Sequence, residues 1–165
     1  MSADLQVSPQ GARFGSRHMP CALGRGGIGI KRREGDGITP IGRFELRALW
    51  YRADRVAPRC ILPQHKIAPH HGWSDDENDP AYNRQITLPH RYHHEKLWRD
   101  SPVYDLVGVM DYNLNPVVAG AGSAVFLHVW RGADMPTEGC VALARDDLLH
   151  VLAGWTRDSR IAIQP

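Results

Sequence analysis

The sequence predicts a mainly β domain of the α+β class, with one or two helices laid against its sheets and residues 1–165 forming a single unit. Three observations predict it. Apolar and polar residues alternate with period two from Ile41 onward in "TPIGRFELRALWYR" (39–52). "YDLVGVMDYN" (104–113) and "AVFLHVW" (124–130) are apolar runs of strand length, the first closed by an Asp/Asn turn. The clearest helical pattern is confined to "RDDLLHVLAG" (145–154). With 165 residues and 42% hydrophobic content the chain can bury one core, and two full domains would be cramped.

Shorter strands are expected near residues 19–23, 86–88 and 160–163. In the 145–154 helix, Asp146 and Asp147 suit the positive N-terminal end, Leu148, Leu149 and Leu152 form the apolar face, and Gly154 stops the run. A second short helix is expected over "HEKLWRD" (94–100), and "HHGWSDDENDPAYNR" (70–84) reads as a polar loop without periodicity. "GRGGIG" (24–29) reads as a Gly-rich turn, because it lacks the spacing of a dinucleotide fingerprint and the Lys/Ser end of a P-loop.

Charge and cysteine usage narrow the function classes. Cys21, Cys60 and Cys140 are too few and too scattered for a disulfide framework, and no C-x-x-C pair suggests structural zinc. The net charge of +2 is unevenly spread, with 11 Lys/Arg against 5 Asp/Glu in residues 1–60 and 9 against 13 in 61–165. The basic half could attract an anionic polymer or be a solvated face, and no nucleic-acid partner is expected. "VVAGAGSAVFLHVW" (117–130) is too short to cross a membrane, so no insertion is expected. The first thirty residues show no secretory apolar run. Six histidines between His65 and His94 could bind Zn²⁺ or Cu²⁺, and Asp75, Asp76, Glu77 and Asp79 could bind Ca²⁺. Solvated loops are the reading adopted for both, with no metal, no cofactor and a monomeric state expected. Trp73 and Trp98 are the candidates for stacking on a carbohydrate.

The chemistry concentrates near residue 140. A predicted strand delivers His128, "RGADMPT" follows, and "EGC" then turns toward the last helix, so Cys140 is expected about one turn before a helix N-terminus. There a thiolate would gain from unpaired N–H groups, and an imidazole could take the thiol proton, making Cys140 the most reactive of the three thiols. Gly139 lets a carbonyl approach the backbone, where N–H groups can converge on an oxyanion. The alternative is a packed small cysteine and a satisfied strand histidine.

"HVWRGADMPTEGCVAL" resembles the catalytic signature of the L,D-transpeptidase (YkuD-like) domain, in which a histidine precedes an S/T-x-G-C turn. "TPIGRF" (39–44) matches the T-P-x-G-x-F segment of the same family, and "KRREGDG" before it is similar to a compact subgroup. The resemblance covers nearly the whole chain and implies a β-sandwich. It implies Cys140 as nucleophile, His128 as general base, the Val129 carbonyl as the group orienting the imidazole, Thr137 as a brace of the turn, and an oxyanion site at the N–H groups of Gly139 and Cys140 with that of Glu138. It also implies peptidoglycan stem peptides as substrates, carbapenem-type β-lactams as inhibitors, and a periplasmic or cell-envelope location. That location stands against the lack of a visible export signal, which an unrecognised route or a leader outside the given sequence would reconcile.

Two features depart from the family pattern. Many members carry Arg two residues after the cysteine, where this chain has Ala142, so the cation is either missing or supplied elsewhere, with Arg131, Arg84 and Arg145 as the candidates. His128 and Cys140 are also only 12 residues apart, which shortens the loop that covers substrate in many relatives. Tyr82, Asn83 and Arg84 follow an acidic loop and are candidates for substrate binding, Arg84 for a diaminopimelate carboxylate. Three functions stay open: a transpeptidase forming 3-3 or 1-3 cross-links, a cysteine hydrolase of the same fold, and a non-catalytic metal- or glycan-binding module.

Overall fold

The computed structural model describes residues 3–165. In chain order the first strands are β1 (Leu5–Ser8), β2 (Gly11–Phe14), β3 (Arg17–Met19), β4 (Cys21–Ala22), β5 (Ile28–Gly29) and β6 (Thr39–Pro40). They are followed by β7 (Gly42–Phe44), β8 (Leu46–Tyr51), β9 (Gln64–Lys66), β10 (His71–Ser74), β11 (Gln85–Thr87) and β12 (His94–Lys96). A 3-10 turn (Pro102–Tyr104) leads into β13 (Leu106–Met110), β14 (Phe126–Val129), β15 (Val141–Leu143), helix α1 (Arg145–Gly154) and β16 (Ile161–Ile163).

A six-stranded sheet, ordered β4-β15-β14-β13-β8-β9, forms the middle of the molecule. Its three central strands are buried on both faces, which is why β13 and β14 read in the sequence as unbroken apolar runs rather than alternating ones. The period of two sorts their side chains between two cores. Leu106, Met110, Leu127, Val129, Val141 and Leu143 face a five-stranded sheet, β3-β2-β1-β16-β7, together with Leu148, Val151 and Leu152 of α1. Val107, Val109, Phe126 and Cys140 face the other way, toward Trp73, Leu97, Val103 and Tyr104, where a small sheet β11-β10-β12 covers them. The fold is therefore the mainly β domain that the strand patterns predict, in the sandwich-like arrangement that the resemblance implies.

Helix α1 spans the residues expected of it. Residues 94–100 do not form a helix. His94–Lys96 is instead an edge strand, paired antiparallel to β10 through Trp73↔Glu95 and Ser74↔His94. Ladder bonds to a strand twenty residues away override a local preference of seven residues, too few to be helical on their own. For the same reason the 70–84 segment is not wholly loop, since His71–Ser74 is the middle strand of that small sheet. The hairpin of β1 and β2, which carries Leu5, Val7, Ala12 and Phe14 into the larger core, lies outside the strands expected from sequence.

The strands covering Cys140 are tied to the sheet by Asn83. Its Oδ1 accepts from Trp73 Nε1 and from the Ala124 N–H, both at 3.0 Å, and its Nδ2 donates to the carbonyls of Tyr112 and Asn113 at 3.2 and 2.8 Å. An amide alone offers two donors and an acceptor at this reach, and Asn tolerates the left-handed backbone found there, φ 57°. Asn83→Ala leaves these buried groups unpaired and should cost about 3 kcal/mol or more in urea denaturation, against about 0.5 kcal/mol for an exposed substitution.

Candidate active site

Strands β14 and β15 run parallel, with Leu127 opposite Val141, His128 opposite Ala142 and Val129 opposite Leu143. In a parallel pair, opposed residues point to the same face. His128 and Ala142 therefore share a face, and Cys140, two residues before Ala142, projects from that face as well. The sulfur reaches Phe126, whose N–H points at Sγ at 3.4 Å, so cysteine and histidine are diagonal neighbours on adjacent strands.

The turn into Cys140 is organised by hydroxyls. Thr137 Oγ1 donates to the Cys140 carbonyl at 2.7 Å and accepts from the Gly139 N–H at 3.1 Å. Thr39, wholly buried, accepts from the Gly24 N–H at 2.8 Å and reaches the same Cys140 carbonyl at 3.5 Å. The threonine of "TPIGRF" is thus the post against which the cysteine turn leans. Gly139 has φ +138°, and a Cβ there would lie 2.8 Å from the Ile38 carbonyl oxygen, so both the backbone angle and the space require glycine. Because the Gly139 N–H is committed to Thr137, the donors left for an oxyanion are the N–H groups of Cys140 and Glu138, which have no partner among the described residues. The Glu138 side chain points outward to Arg25 at 3.1 Å.

His128 Nδ1 lies 2.8 Å from the Val129 carbonyl oxygen. A carbonyl can only accept, so Nδ1 carries the proton and Nε2 presents its lone pair, the tautomer a general base needs. The ring of Tyr104 packs edge-on against the imidazole, centroids 5.4 Å apart. Burial lowers the imidazole to about 4, with the Val129 carbonyl opposing and Arg99 reinforcing the shift. Burial raises the Cys140 thiol to about 12, helped by the Glu95 charge and opposed by the Phe126 N–H, Lys31 and Arg99. Both residues are 8% exposed. The resting pair is neutral thiol and neutral imidazole. The thiol proton is held by the Ala124 carbonyl at 3.1 Å and not by His128.

This corrects the expectation of a thiolate at a helix start. Strand β15 intervenes between Cys140 and α1, and the helix packs in the opposite core, so its dipole does not act on the sulfur.

Cys140 and His128 open into one cavity of about 560 Å³, also lined by Lys31, Glu34, Glu95, Arg99, Tyr104 and Arg131. Arg131 lies on the rim and donates to the Pro136 carbonyl at 3.0 Å. Tyr82, Asn83 and Arg84 do not line it. Tyr82 is buried and accepts from the Gly122 N–H at 2.9 Å, so it and Asn83 shape the 122–124 loop that holds the thiol proton, while Arg84 is exposed elsewhere. Arg145 is occupied by Asp105 at 2.8 Å and by the Arg55 carbonyl at 2.9 Å. The cations that face the sulfur, Lys31 and Arg99, were not singled out in the sequence. Lys31 had a signal in "KRREGDG", whereas Arg99, Glu95 and Tyr104 had none.

The remaining candidates are occupied within the chain. His90 and His93 pair with Asp79 and Asp75 at 2.6 and 2.5 Å, and His65 and His71 pack on Trp50. Among the described residues no three His, Cys, Asp or Glu side chains converge as metal ligands. Trp73 is buried edge-on against Phe126, and the face of Trp98 is covered by the Arg52 guanidinium at 3.4 Å, so neither ring is an open sugar platform. No helix is long and apolar enough to cross a membrane among the described residues.

The sequence model of the YkuD family, the L,D-transpeptidase catalytic domain, matches residues 11–163. No curated protein and no solved structure matches the chain.

Two outcomes follow from the neutral pair. The folded imidazole sits near 4 and the unfolded one near 6.5, so the unfolded chain binds more protons in between and stability falls as pH drops through that window. Urea denaturation should show a loss of up to about 3 kcal/mol between pH 7 and pH 4 that His128→Gln lacks. At pH 8, site-resolved iodoacetamide kinetics should modify Cys60, half-buried and also raised by burial, no more slowly than Cys140.

Proposed function

The chain belongs to the YkuD family, the L,D-transpeptidase catalytic domain, and on that premise we propose that residues 1–165 act as one cysteine-dependent acyltransferase on peptidoglycan stem peptides. The observation that carries this reading is the pairing of Cys140 and His128 on one sheet face, in one cavity, with Nδ1 tied to the Val129 carbonyl.

Substrate entry displaces water and brings a stem carbonyl against the sulfur. The thiol proton leaves the Ala124 carbonyl for His128 Nε2 as the Sγ–C bond forms. Negative charge then develops on the carbonyl oxygen, where the unpartnered Cys140 and Glu138 N–H groups can donate. Collapse breaks the C–N bond to the terminal D-residue, and the imidazolium returns its proton to the departing amine. An acceptor amine next attacks the thioester carbonyl and loses its proton to His128; the C–S bond then breaks, and the imidazolium returns that proton to the sulfur, which restores the thiol. Because the thiol starts high and the imidazole low, the ion pair exists only once substrate has arrived. The cavity carries both signs, with Arg99 and Arg131 against Glu34, Asp75 and Glu95, which suits a stem peptide bearing carboxylates and amines. Arg99 and Arg131, rather than Arg84, are the candidates for its carboxylates. Carbapenem-type β-lactams would acylate the same sulfur, and the family's substrate argues for a cell-envelope location.

Wild-type protein given tetrapeptide stems should yield amide-joined dimers by mass spectrometry, with added amine raising their ratio to hydrolysed tripeptide. Cys140→Ala should abolish both products, and His128→Ala should lose roughly 10²–10⁴-fold. Tripeptide alone at every amine concentration would assign a hydrolase, and undiminished products from Cys140→Ala would remove the cysteine from the chemistry.

A further inference from the structure

Lys31 brings a buried positive charge to the cavity beside the cysteine turn. Position 142 cannot supply it. Ala142 is wholly buried, with His128 opposite it on one neighbouring strand and Ala22 on the other. The Lys31 side chain is 3% exposed, and its Nζ donates to Asp36 Oδ1 at 2.7 Å and to the Ile38 carbonyl at 3.2 Å. An ammonium has three donors, and the third has no partner among the described residues. Lys31 lines the Cys140 cavity, whereas Asp36 does not.

Its route is kept open by two glycines. A Cβ on Gly122 would lie 2.5 Å from Lys31 Cε, and one on Gly139 would lie 3.3 Å from Nζ. Both glycines have positive φ, +123° and +138°. Any side chain on the loop that holds the thiol proton, or beside the nucleophile, would push the lysine away. Asp36 in turn is fixed by the N–H groups of Arg32, Arg33 and Ile38, which with Lys31 hold its carboxyl well below the ordinary range despite burial.

We propose that Lys31 is the positioning cation of this site, supporting negative charge at Cys140 as the sulfur loses its proton and as an oxyanion forms at the turn, in place of the arginine absent at Ala142. Its part in turnover rests on Cys140 being the nucleophile. Its effect on the thiol does not, and the two can be separated.

The test is the rate of Cys140 modification by iodoacetamide at pH 8, followed by mass spectrometry. Lys31→Met should slow it roughly tenfold, Lys31→Arg should stay within about threefold of wild type, and Asp36→Asn, which keeps the shape and removes the counter-charge, should speed it by a few-fold. A strut without electrostatic function predicts that Lys31→Met and Asp36→Asn shift the rate in the same direction, and that result would overturn the proposal, as would no change in either. Circular dichroism melts identify a variant that has not folded, and the remaining pair still decides the sign. Opposite shifts in a protein that never cross-links stems would support the charge effect and sink the transpeptidase reading alone.

Discussion

The site depends on one pairing, the parallel register of β14 and β15. A parallel pair cannot be closed by a tight hairpin, so the chain must leave Val129, travel outside the sheet and return in the same direction at Val141. The returning end needs an anchor other than its neighbour in sequence. It finds one in the N-terminal third. The Thr137 N–H donates to the Leu23 carbonyl and the Arg25 N–H to the Thr137 carbonyl, both at 2.9 Å, while Thr39 braces the carbonyl of Cys140. Two segments a hundred residues apart in the chain are thereby one object. Shifting the register by one residue would turn the sulfur and the imidazole into separate cores.

The "KRREGDG" loop supplies the second half of that object. Lys31 reaches the Cys140 turn, and Glu34 accepts from the Ser123 N–H at 3.0 Å, from the Ser123 hydroxyl and from the Tyr82 hydroxyl at 3.2 Å. One short loop therefore holds the 122–124 loop and reaches the turn at 139, the two walls between which the thiol lies. Burial raises the Glu34 carboxyl in spite of these donors.

Much of this was legible in the sequence where the signal is local. Helix 145–154 carries its own apolar face, and β13 and β14 announce themselves as apolar runs. Cys140 and His128 could be picked out because "HVWRGADMPTEGCVAL" and "TPIGRF" resemble the family's two motifs, whereas the turn residues alone left a packed cysteine open. The rest is set by partners that no local pattern reveals. His94–Lys96 became a strand because β10 offered it a ladder. Tyr82 and Asn83 looked like a polar surface but are buried, because each polar atom meets a backbone group of a distant loop. Arg84, next in sequence, has no such partner and is exposed. The helix start misled for a similar reason. Distance along the chain placed Cys140 near it, but three residues of strand set the sulfur and the helix on opposite faces of the sheet.

The hydrogen bond from the Cys140 thiol to the Ala124 carbonyl has a bearing on how long the protein survives. Oxidants such as peroxide attack the thiolate, and exchange with disulfides proceeds through the same anion. A sulfur whose proton is parked on a carbonyl and whose charged form is penalised by burial offers these reagents little to attack. In an oxidising compartment, an unpaired cysteine with a permanently charged sulfur would be lost to sulfinic acid or a mixed disulfide within the protein's working life. Here the same burial that keeps the Cys140 thiol protonated also serves as its antioxidant.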